Sequence, residues 1–256
     1  MKINNNRNNA HNEIDRVFKI LLPTRNMAER PAQVELSHKM LDTMLDGGIA
    51  LCDAGTGIGK TYAYLVAGTV FNRFRAASGL APRPILISTS SIALQNAVRD
   101  EYLPLLSDLL TADGMIAEPL QAVIRKGKSH YVCDERLEQR LGQLDLNEKN
   151  WRAGAALLTL QGQLDVSEAA HLSRYDRECV CVPQTCDCQR ESCRYRSFLE
   201  DCDTGPYLFQ ICNHNLLLAD AIHRGSVDAS QSCRMPAPSL WTRPTNCRRR
   251  PAKCLA

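Results

Sequence analysis

The residues with the clearest chemistry are at 54–61, which read Ala-Gly-Thr-Gly-Ile-Gly-Lys-Thr. This is the pattern of a phosphate-binding (Walker A) loop, with alanine in place of the first glycine. The glycines let backbone amides turn inward around phosphate oxygens, and a following helix adds the partial positive charge of its N-terminus. Lys60 would then reach the β- and γ-phosphates, and the Thr61 hydroxyl would bind Mg²⁺. The competing interpretation is a glycine-rich turn that happens to precede a helix.

A second candidate lies about twenty residues before this loop, where the chain reads Arg30-Pro31-Ala32-Gln33. A glutamine amide offers one donor and one acceptor, which suits the edge of an adenine ring. A solvated helix start with proline at the first helical position explains the same residues. The predicted nucleotide-binding residues are Arg30, Gln33, Gly55, Thr56, Gly57, Ile58, Gly59, Lys60 and Thr61.

Cysteines are the other group with a distinctive chemistry. The chain has 12 cysteines, and six of them fall between Cys179 and Cys202. The N-terminus lacks the apolar core of a signal peptide, so we expect a cytosolic protein in which disulfides do not form. Clustered thiols then indicate metal ligation. Four thiolates suit an iron–sulfur cluster or a zinc ion, although the Cys-x-x-Cys pairs usual in zinc fingers do not occur in this sequence.

A phosphate-binding loop requires a strand before it and a helix after it. The apolar run GIALCDA at 48–54 predicts a buried strand, and residues 61–74 predict a helix. PILIST at 84–89 and QAVIRK at 121–126 predict two further strands, separated by a helical pattern. Strands that alternate with helices indicate an α/β fold with a parallel sheet.

Charge is distributed unevenly along the 256 residues. Six of the 31 basic residues and none of the 28 acidic ones lie in 234–256, so the rest of the chain carries a net charge of −3. A nucleic acid would therefore need a local groove, since the protein has no general positive field. No apolar run reaches the length of about eighteen residues that a membrane-spanning helix needs.

The order of these motifs resembles that of the iron–sulfur superfamily-2 DNA helicases, the DinG and XPD group. The resemblance covers about residues 28–223. It rests on blocks that follow one another in the same order. Two concern nucleotide: Arg30-x-x-Gln33 resembles the adenine-reading motif and residues 53–61 resemble Walker A, while Ser88-Thr89-Ser90 with Leu94-Gln95 resembles the motif that contacts single-stranded DNA. Residues 125–133 and 193–200 resemble the segments around the first and last cluster cysteines, and residues 212–216 resemble the N-H-x-L block before Walker B.

The resemblance implies a RecA-like P-loop NTPase fold, present as an incomplete first motor domain with a helical, cysteine-rich iron–sulfur insertion. It implies an ATP-dependent DNA helicase that unwinds DNA 5′ to 3′, with ATP, Mg²⁺ and a [4Fe–4S] cluster as cofactors. The partner would be single-stranded or forked DNA, and the protein would be a cytoplasmic monomer without membrane contact. The implied cluster ligands are Cys133, Cys186, Cys188 and Cys193, with Cys181 as the substitute for one of the middle two.

The implied DNA contacts are Ser88, Thr89 and Gln95. They lie just past a predicted strand end, where ligands bind in open α/β sheets. Capping of the following helix by Ser90 or Ser91 is an alternative use of this polar stretch, and it is compatible with DNA contact.

The same blocks and the changes in composition predict the organisation of the chain. We expect a disordered tail at 1–12, the first part of a RecA-like ATP-binding domain at 13–132, the iron–sulfur insertion at 133–202, a return to the RecA-like domain at 203–233, and a non-native or disordered tail at 234–256.

The sequence lacks Asp-Glu-Ala-His, the motif whose acidic pair holds Mg²⁺ in a motor of this class. The codons of the tail suggest where it is encoded. In the frame that starts at each codon's third base, the junction of Trp241 and Thr242 must read GAC, which encodes Asp. Permitted codons from Pro238 to Leu255 spell I-V-V-D-E-A-H-K-L-P-E-A-A-R-Q-M-F-G. We therefore expect a frameshifted tail from about residue 236, and a helicase fragment that is inactive alone because it lacks Walker B and a second motor domain.

Two other functions fit the same residues. One is a P-loop ATPase of another class with a zinc-binding insertion. The other is a non-catalytic module that binds nucleotide or DNA. Iron with acid-labile sulfide distinguishes the helicase from the first alternative, and DNA-stimulated ATP turnover distinguishes it from the second.

Overall fold

Two compact units make up the chain. One contains Met1–Ile124 together with Pro206–Ala256, and the other contains Arg125–Gly205. The computed structural model describes residues 2–144, 151–186, 190–225 and 239–242. Among the described helices, none combines the length and the apolar character needed to cross a bilayer.

Helices dominate both units, and short strands form one sheet. In chain order the elements are α1 (Lys2–Arg16), α2 (Pro31–Asp46), α3 (Lys60–Ala77), β1 (Ile85–Thr89), α4 (Ile92–Ala97), α5 (Leu103–Ala112), β2 (Ala122–Arg125), α6 (Asp134–Gln143), α7 (Trp151–Thr159), α8 (Arg174–Val180), α9 (Arg194–Thr204), β3 (Phe209–Asn213), α10 (His214–Gly225) and β4 (Ser239–Thr242). A π-helical turn (Val17–Leu21) continues α1, and another (Val98–Tyr102) joins α4 to α5.

The residues predicted to be a disordered tail, 1–12, lie mostly in α1. Ala10 and Ile14 of this helix are buried, and the apolar stripe continues through Val17 and Phe18. The prediction is wrong because a single apolar stripe is enough to pack a helix, even when its other positions are asparagine-rich. Helix α1 packs on α2 and α3 in the first unit.

The sheet has the strand order β2-β3-β1-β4. Strand β1 pairs in parallel with β3, with Ser88 opposite Cys212, and in parallel with β4, with Thr89 opposite Thr242. Every residue of β1 is buried, as expected for a strand between two others. The predictions of strands at 84–89 and 121–126 and of an α/β fold are confirmed by β1, β2 and the parallel pairing.

One prediction about the strands is wrong. Residues 48–54 form no strand in the structure, and the side chains of Ile49 and Leu51 are 95% and 97% exposed. An apolar run becomes a buried strand only when neighbouring strands pair with its backbone, and within the described residues none pairs with this run. A strand also forms at Ser239–Thr242, inside the tail that the sequence predicts to be non-native or disordered, and the non-native origin of this tail stays a prediction. The rest of that tail, 234–238 and 243–256, lies outside the described residues.

Helix α3 packs closely against the sheet at Gly68. A Cβ atom at this position would lie 2.9 Å from Cε1 of Phe209 in β3 and 3.2 Å from Cγ1 of Ile85 in β1. The absence of a side chain therefore sets the distance between α3 and the sheet. Because α3 begins at Lys60, this packing also fixes where the phosphate-binding loop ends.

The second unit is built from α6–α9 around its own apolar cluster, which includes Leu137, Leu157 and Val180. Short antiparallel contacts pair Tyr131 with Asp165 and Val132 with Cys181. The predicted insertion at 133–202 lies within this unit. Of its predicted ligands, Cys188 lies outside the described residues.

A row of polar side chains joins α1 to α2. The Nδ1 atoms of His11 and His38 are 2.7 Å apart, while His11 Nε2 lies 3.0 Å from Asp42 Oδ1 and His38 Nε2 lies 3.1 Å from Asp15 Oδ1. Ionised carboxylates only accept hydrogen bonds, so each Nε2 donates to its carboxylate. The two histidines and the two carboxylates therefore form one continuous row of polar contacts between α1 and α2.

Replacing Gly68 with valine tests the close packing of α3. We expect Gly68→Val to lower the free energy of unfolding by about 1–3 kcal/mol, because the branched side chain overlaps Phe209 and Ile85. Gly142→Val in α6 is the matched control, since a Cβ there has open space, and we expect a change within about 0.5 kcal/mol. Urea denaturation followed by circular dichroism measures both. Equal losses in the two variants would contradict the packing argument.

The contacts of Asp15 predict an acid-sensitive junction between α1 and α2. Burial opposes ionisation of Asp15, but hydrogen bonds from His38 and Lys19 outweigh it, so its pKa lies below the ordinary value of 3.8. The stabilisation is therefore present above that value and is lost as the pH falls through the lower folded-state pKa.

We expect Asp15→Asn to be less stable than the wild type at pH 7, by at most about 1 kcal/mol because the side chain is partly exposed. The difference should disappear in strong acid. Asp108→Asn, at an exposed position of α5, should change little at either pH. Urea titrations at pH 7 and below pH 3 compare them, and a gap that persists in acid would refute the assignment.

Candidate functional site

The phosphate-binding loop has the backbone shape that its glycines predict. Gly57 and Gly59 have φ values of +83° and +89°, in the left-handed region where a side chain is strained. Helix α3 begins directly after the loop, at Lys60. Its N-terminal amides and partial positive charge therefore lie where an anion would be bound.

Lys60 turns back onto the loop. Its ammonium group donates hydrogen bonds to the carbonyl oxygens of Ala54 at 2.9 Å and Gly55 at 2.7 Å. These contacts hold the positive charge over the loop, at the end of the preceding apolar run. A bound phosphate group would compete with the two carbonyl oxygens for the same ammonium group.

Arg30 and Gln33, which the sequence places far from the loop, also bind it. The Arg30 guanidinium donates to the Gly57 carbonyl oxygen, and Gln33 Nε2 donates to the Gly59 carbonyl oxygen at 2.6 Å. The structure thus brings Arg30, Gln33 and Lys60 together on one loop. Gln33 is buried against the loop, so in this structure its amide supports the loop backbone. Its contact with adenine stays a prediction.

Thr61 is the second residue of α3 and is half-buried. This position leaves its hydroxyl at the end of the helix that faces the loop, and its role as a Mg²⁺ ligand stays a prediction. Tyr64 lies one turn further along α3. Burial raises the pKa of Tyr64 to about 12, so its phenol is neutral in the physiological range.

The residues predicted to touch DNA lie inside the protein. Ser88, Thr89 and Gln95 are each at most 2% exposed. Ser88 Oγ lies 2.8 Å from Nδ1 of His214, the first residue of α10. Direct contact between these three side chains and a nucleic acid does not agree with this burial. The apolar run at 84–89, which predicts a buried strand, includes Ser88 and Thr89 and agrees with their burial.

Exposed groups follow directly after β1. Ser90, Ser91 and Ile92 face solvent. Ser91 Oγ accepts a hydrogen bond from the Leu94 backbone amide at 3.3 Å, which is the helix-capping role that the sequence analysis had considered. His214, which the sequence had marked only as part of the 212–216 block, links this turn to α10 through Ser88. These groups gather at the carboxyl ends of β1 and β3, where ligands bind in parallel sheets.

Two of the predicted cluster ligands share an apolar pocket. Cys133 is buried beside Tyr131, Val182 and Tyr195, and Cys193 packs against the same group. This pocket protects sulfur ligands from water, as a metal–thiolate site requires. Cys181 lies beside it, because Val132 pairs with Cys181, whereas Cys186 is exposed.

The described residues contain no set of three metal-ligating side chains arranged to hold an ion. Cys188, one of the four predicted ligands, is outside this set. The thiol chemistry and the apolar surroundings of Cys133 and Cys193 fit an iron–sulfur cluster, and they fit zinc as well. The choice among Cys181, Cys186 and Cys188 for the middle ligands stays open.

Comparison with known proteins connects this arrangement to one group. The chain is 30% identical over 145 residues to the protein named 3′-5′ exonuclease DinG of Bacillus subtilis, a match that covers 57% of this chain and 14% of that protein. It is 35% identical over 111 residues to the ATP-dependent DNA helicase YoaA of Escherichia coli, covering 43% and 15%. Against YoaA of Haemophilus influenzae it is 31% identical over 121 residues, covering 47% and 16%.

The sequence similarity supports the resemblance to the DinG group. The match spans less than a fifth of the length of each of these relatives. No protein-family model matches the chain.

The contact between Gly59 and Gln33 predicts that a methyl group at position 59 lowers the stability of the first unit. A Cβ atom at Gly59 would lie 2.2 Å from Gln33 Nε2. Alanine in a left-handed conformation costs about 1–2 kcal/mol. Gly59→Ala should therefore lower the free energy of unfolding of the first unit by more than this amount. Gly79→Ala is the matched control, because Gly79 has a φ of +74° and open space around it.

Thermal unfolding of the two variants measures the difference. Adding Gln33→Ala to Gly59→Ala should recover the part of the loss that comes from overlap with Gln33. Equal destabilisation by the two glycine variants would show that the Gln33 side chain moves aside without loss of stability, and would contradict the prediction.

Proposed function

We propose that this chain forms the ATP-binding part of the first, RecA-like motor domain of an ATP-dependent DNA helicase of the DinG group. The observation that carries the proposal is the convergence of Arg30, Gln33 and Lys60 on the backbone of one glycine-rich loop. The parallel sheet and the similarity to proteins named DinG and YoaA support it. The alternatives, a P-loop ATPase of another class and a non-catalytic module, explain the loop but not the ordered motifs that follow it.

ATP binding would replace hydrogen bonds within the loop by hydrogen bonds to the phosphates. Lys60 would leave the carbonyl oxygens of Ala54 and Gly55 and bind the β- and γ-phosphates. The amides of 55–60 and the start of α3 would surround the phosphate oxygens. Thr61 would contribute a hydroxyl ligand to Mg²⁺, which neutralises charge that develops during phosphoryl transfer. Arg30 and Gln33 would hold the loop from the adenine side.

Hydrolysis in this class needs the acidic pair of an Asp-Glu-Ala-His motif, and this amino-acid sequence does not contain that motif. We propose that the gene encodes it in the shifted frame across Trp241 and Thr242. The location of β4 supports this, since the shifted frame over Pro238–Thr242 spells I-V-V-D. Those residues would place an apolar strand beside β1 and an aspartate at the carboxyl edge of the sheet.

DNA would bind at the same carboxyl edge. The burial of Ser88, Thr89 and Gln95 supports an indirect role for them, in which they fix the turn after β1. The exposed Ser90 and Ser91 and nearby backbone amides would then contact the phosphates of a single strand. The 5′-to-3′ direction and forked DNA as the substrate follow from the group alone. The compartment would be the cytoplasm, where bacterial DNA lies.

The second unit would hold a [4Fe–4S] cluster, with Cys133 and Cys193 as the outer ligands and two of Cys181, Cys186 and Cys188 between them. A cluster would tie the segment around Cys186 to the pocket of Cys133. Zinc in place of iron and sulfide would favour the alternative ATPase. Anaerobic purification with iron, sulfide and zinc analysis distinguishes the two.

Loss of the Lys60 ammonium group should weaken nucleotide binding. Calorimetric titration with Mg-ATP should show a 10- to 100-fold lower affinity for Lys60→Ala, the loss expected for about 1.5–3 kcal/mol of charge-assisted hydrogen bonding. Lys19→Ala is the control, because this ammonium pairs with Asp15 and lies outside the proposed site. Unchanged affinity in Lys60→Ala would exclude the loop as the phosphate site.

The helicase assignment itself is tested on the gene. The nucleotide sequence across codons 230–256 and several hundred bases beyond should continue in the shifted frame through Asp-Glu-Ala-His into a second motor domain. The protein encoded by that frame should then turn over ATP in a DNA-stimulated reaction that Lys60→Ala abolishes. Early stop codons in the shifted frame would refute the frameshift and leave an ATP-binding domain.

A further inference from the structure

The residues that directly follow Cys133 and Cys193 bind each other. Arg194 Nε donates to Asp134 Oδ1 at 2.6 Å, and the Arg194 backbone amide donates to Asp134 Oδ2 at 3.2 Å. The carboxylate therefore accepts hydrogen bonds from both the side chain and the backbone of one arginine. Because each partner is next in sequence to a cysteine, this pair fixes the separation of the two cysteine backbones.

The same guanidinium group binds a third segment. Arg194 Nη2 donates to the Leu160 carbonyl oxygen at 3.0 Å, and Nη1 donates to the carbonyl oxygens of Gln161 at 3.1 Å and Gln163 at 3.2 Å. These acceptors lie in the turn after α7. A planar guanidinium can make this set of contacts, whereas a lysine ammonium cannot span it.

The two cysteines have equivalent places in the fold. Cys133 immediately precedes α6 and Cys193 immediately precedes α9. The rings of Tyr131 and Tyr195, with centroids 5.2 Å apart, close the apolar side of the shared pocket.

We propose that Asp134 and Arg194 are positioning residues that hold Cys133 and Cys193 together before metal is bound. Two of four ligands would then be preassembled, so that metal binding needs to bring in only the two middle ligands. Preassembly lowers the conformational entropy lost on binding. The inference rests on the proposal that these cysteines bind a metal or cluster.

The first experiment reports cysteine proximity without any metal. Metal-free protein is treated with dibromobimane, which links two thiols when they are close, and the linked peptides are mapped by mass spectrometry. The wild type should give a Cys133–Cys193 link. Arg194→Gln should lose most of it, and Arg194→Lys should recover little because the lysine cannot span the three segments. Arg174→Gln is the control, since Arg174 is exposed and pairs only with Glu178 among its described ion-pair contacts.

The second experiment follows metal. After anaerobic reconstitution with iron and sulfide, the loss of iron to a chelator should be about tenfold faster or more in Arg194→Gln than in the wild type, the effect expected for a residue that orients metal ligands. Arg174→Gln should match the wild type. Circular dichroism and limited proteolysis confirm that the second unit stays folded. If Arg194→Gln unfolds it, Asp134→Asn provides the test, because that variant keeps the contacts of Arg194 with the carbonyl oxygens.

The outcomes separate this inference from the proposed function. A Cys133–Cys193 link of equal yield in wild type and both Arg194 variants would overturn the positioning role, even if the wild type binds a cluster. A wild type that binds neither iron nor zinc would overturn the metal site, and with it the role assigned to the pair. A lower link yield together with faster iron loss, in a folded protein, supports the proposal.

Discussion

The first unit is organised around side chains that donate hydrogen bonds to the carbonyl oxygens of one loop. Lys60 reaches its acceptors from the start of α3, whereas Arg30 and Gln33 reach theirs from the start of α2. These donors meet only if α2 and α3 keep a fixed alignment. The hydrogen bond from Ser37 Oγ to the Ala63 carbonyl oxygen, at 3.0 Å inside the protein, ties the two helices together one turn from the loop. Helix α1 supports the alignment from outside, through Arg7 with Asp42 and Asp46 and through Arg73 with Glu13.

Local patterns predict much of this arrangement, and non-local pairing explains what they miss. The glycine spacing predicts the loop and the helix after it, but not the hydrogen bonds of Arg30 and Gln33 with the loop backbone. Strands β1 and β2 follow from short apolar runs. The run at 48–54 is apolar, as β1 is, but it lacks a paired neighbour within the described residues, and pairing is not encoded in a single segment. Helix α1 shows the opposite error, because a helix forms where the sequence predicts none. Its few apolar residues stabilise it only by packing against α2 and α3.

The second unit shows a different limit of sequence analysis. Resemblance to a family identifies Cys133 and Cys193, and the structure places them in one pocket. Spacing cannot choose among Cys181, Cys186 and Cys188, because the path of the chain between Val182 and Cys193 decides which thiols reach the pocket. The Asp134–Arg194 contact is invisible in the sequence as well. The residues are 60 positions apart, and only the fold reveals that each follows a cysteine.

The segment at 48–54 has a thermodynamic consequence for the loop it leads into. Its backbone has no strand partner within the described residues, and Ile49 and Leu51 lie in solvent, so the sheet does not hold the chain that leads into the phosphate-binding loop. A ligand that fixes the loop must also order part of this segment, which offsets some of the favourable free energy of the phosphate contacts. By reciprocal linkage, any strand that pairs with 48–54 raises the affinity of the loop for its ligand by the same factor by which the ligand favours the pairing. The pairing of such a strand with 48–54 and the binding of a ligand to the loop would therefore be coupled equilibria.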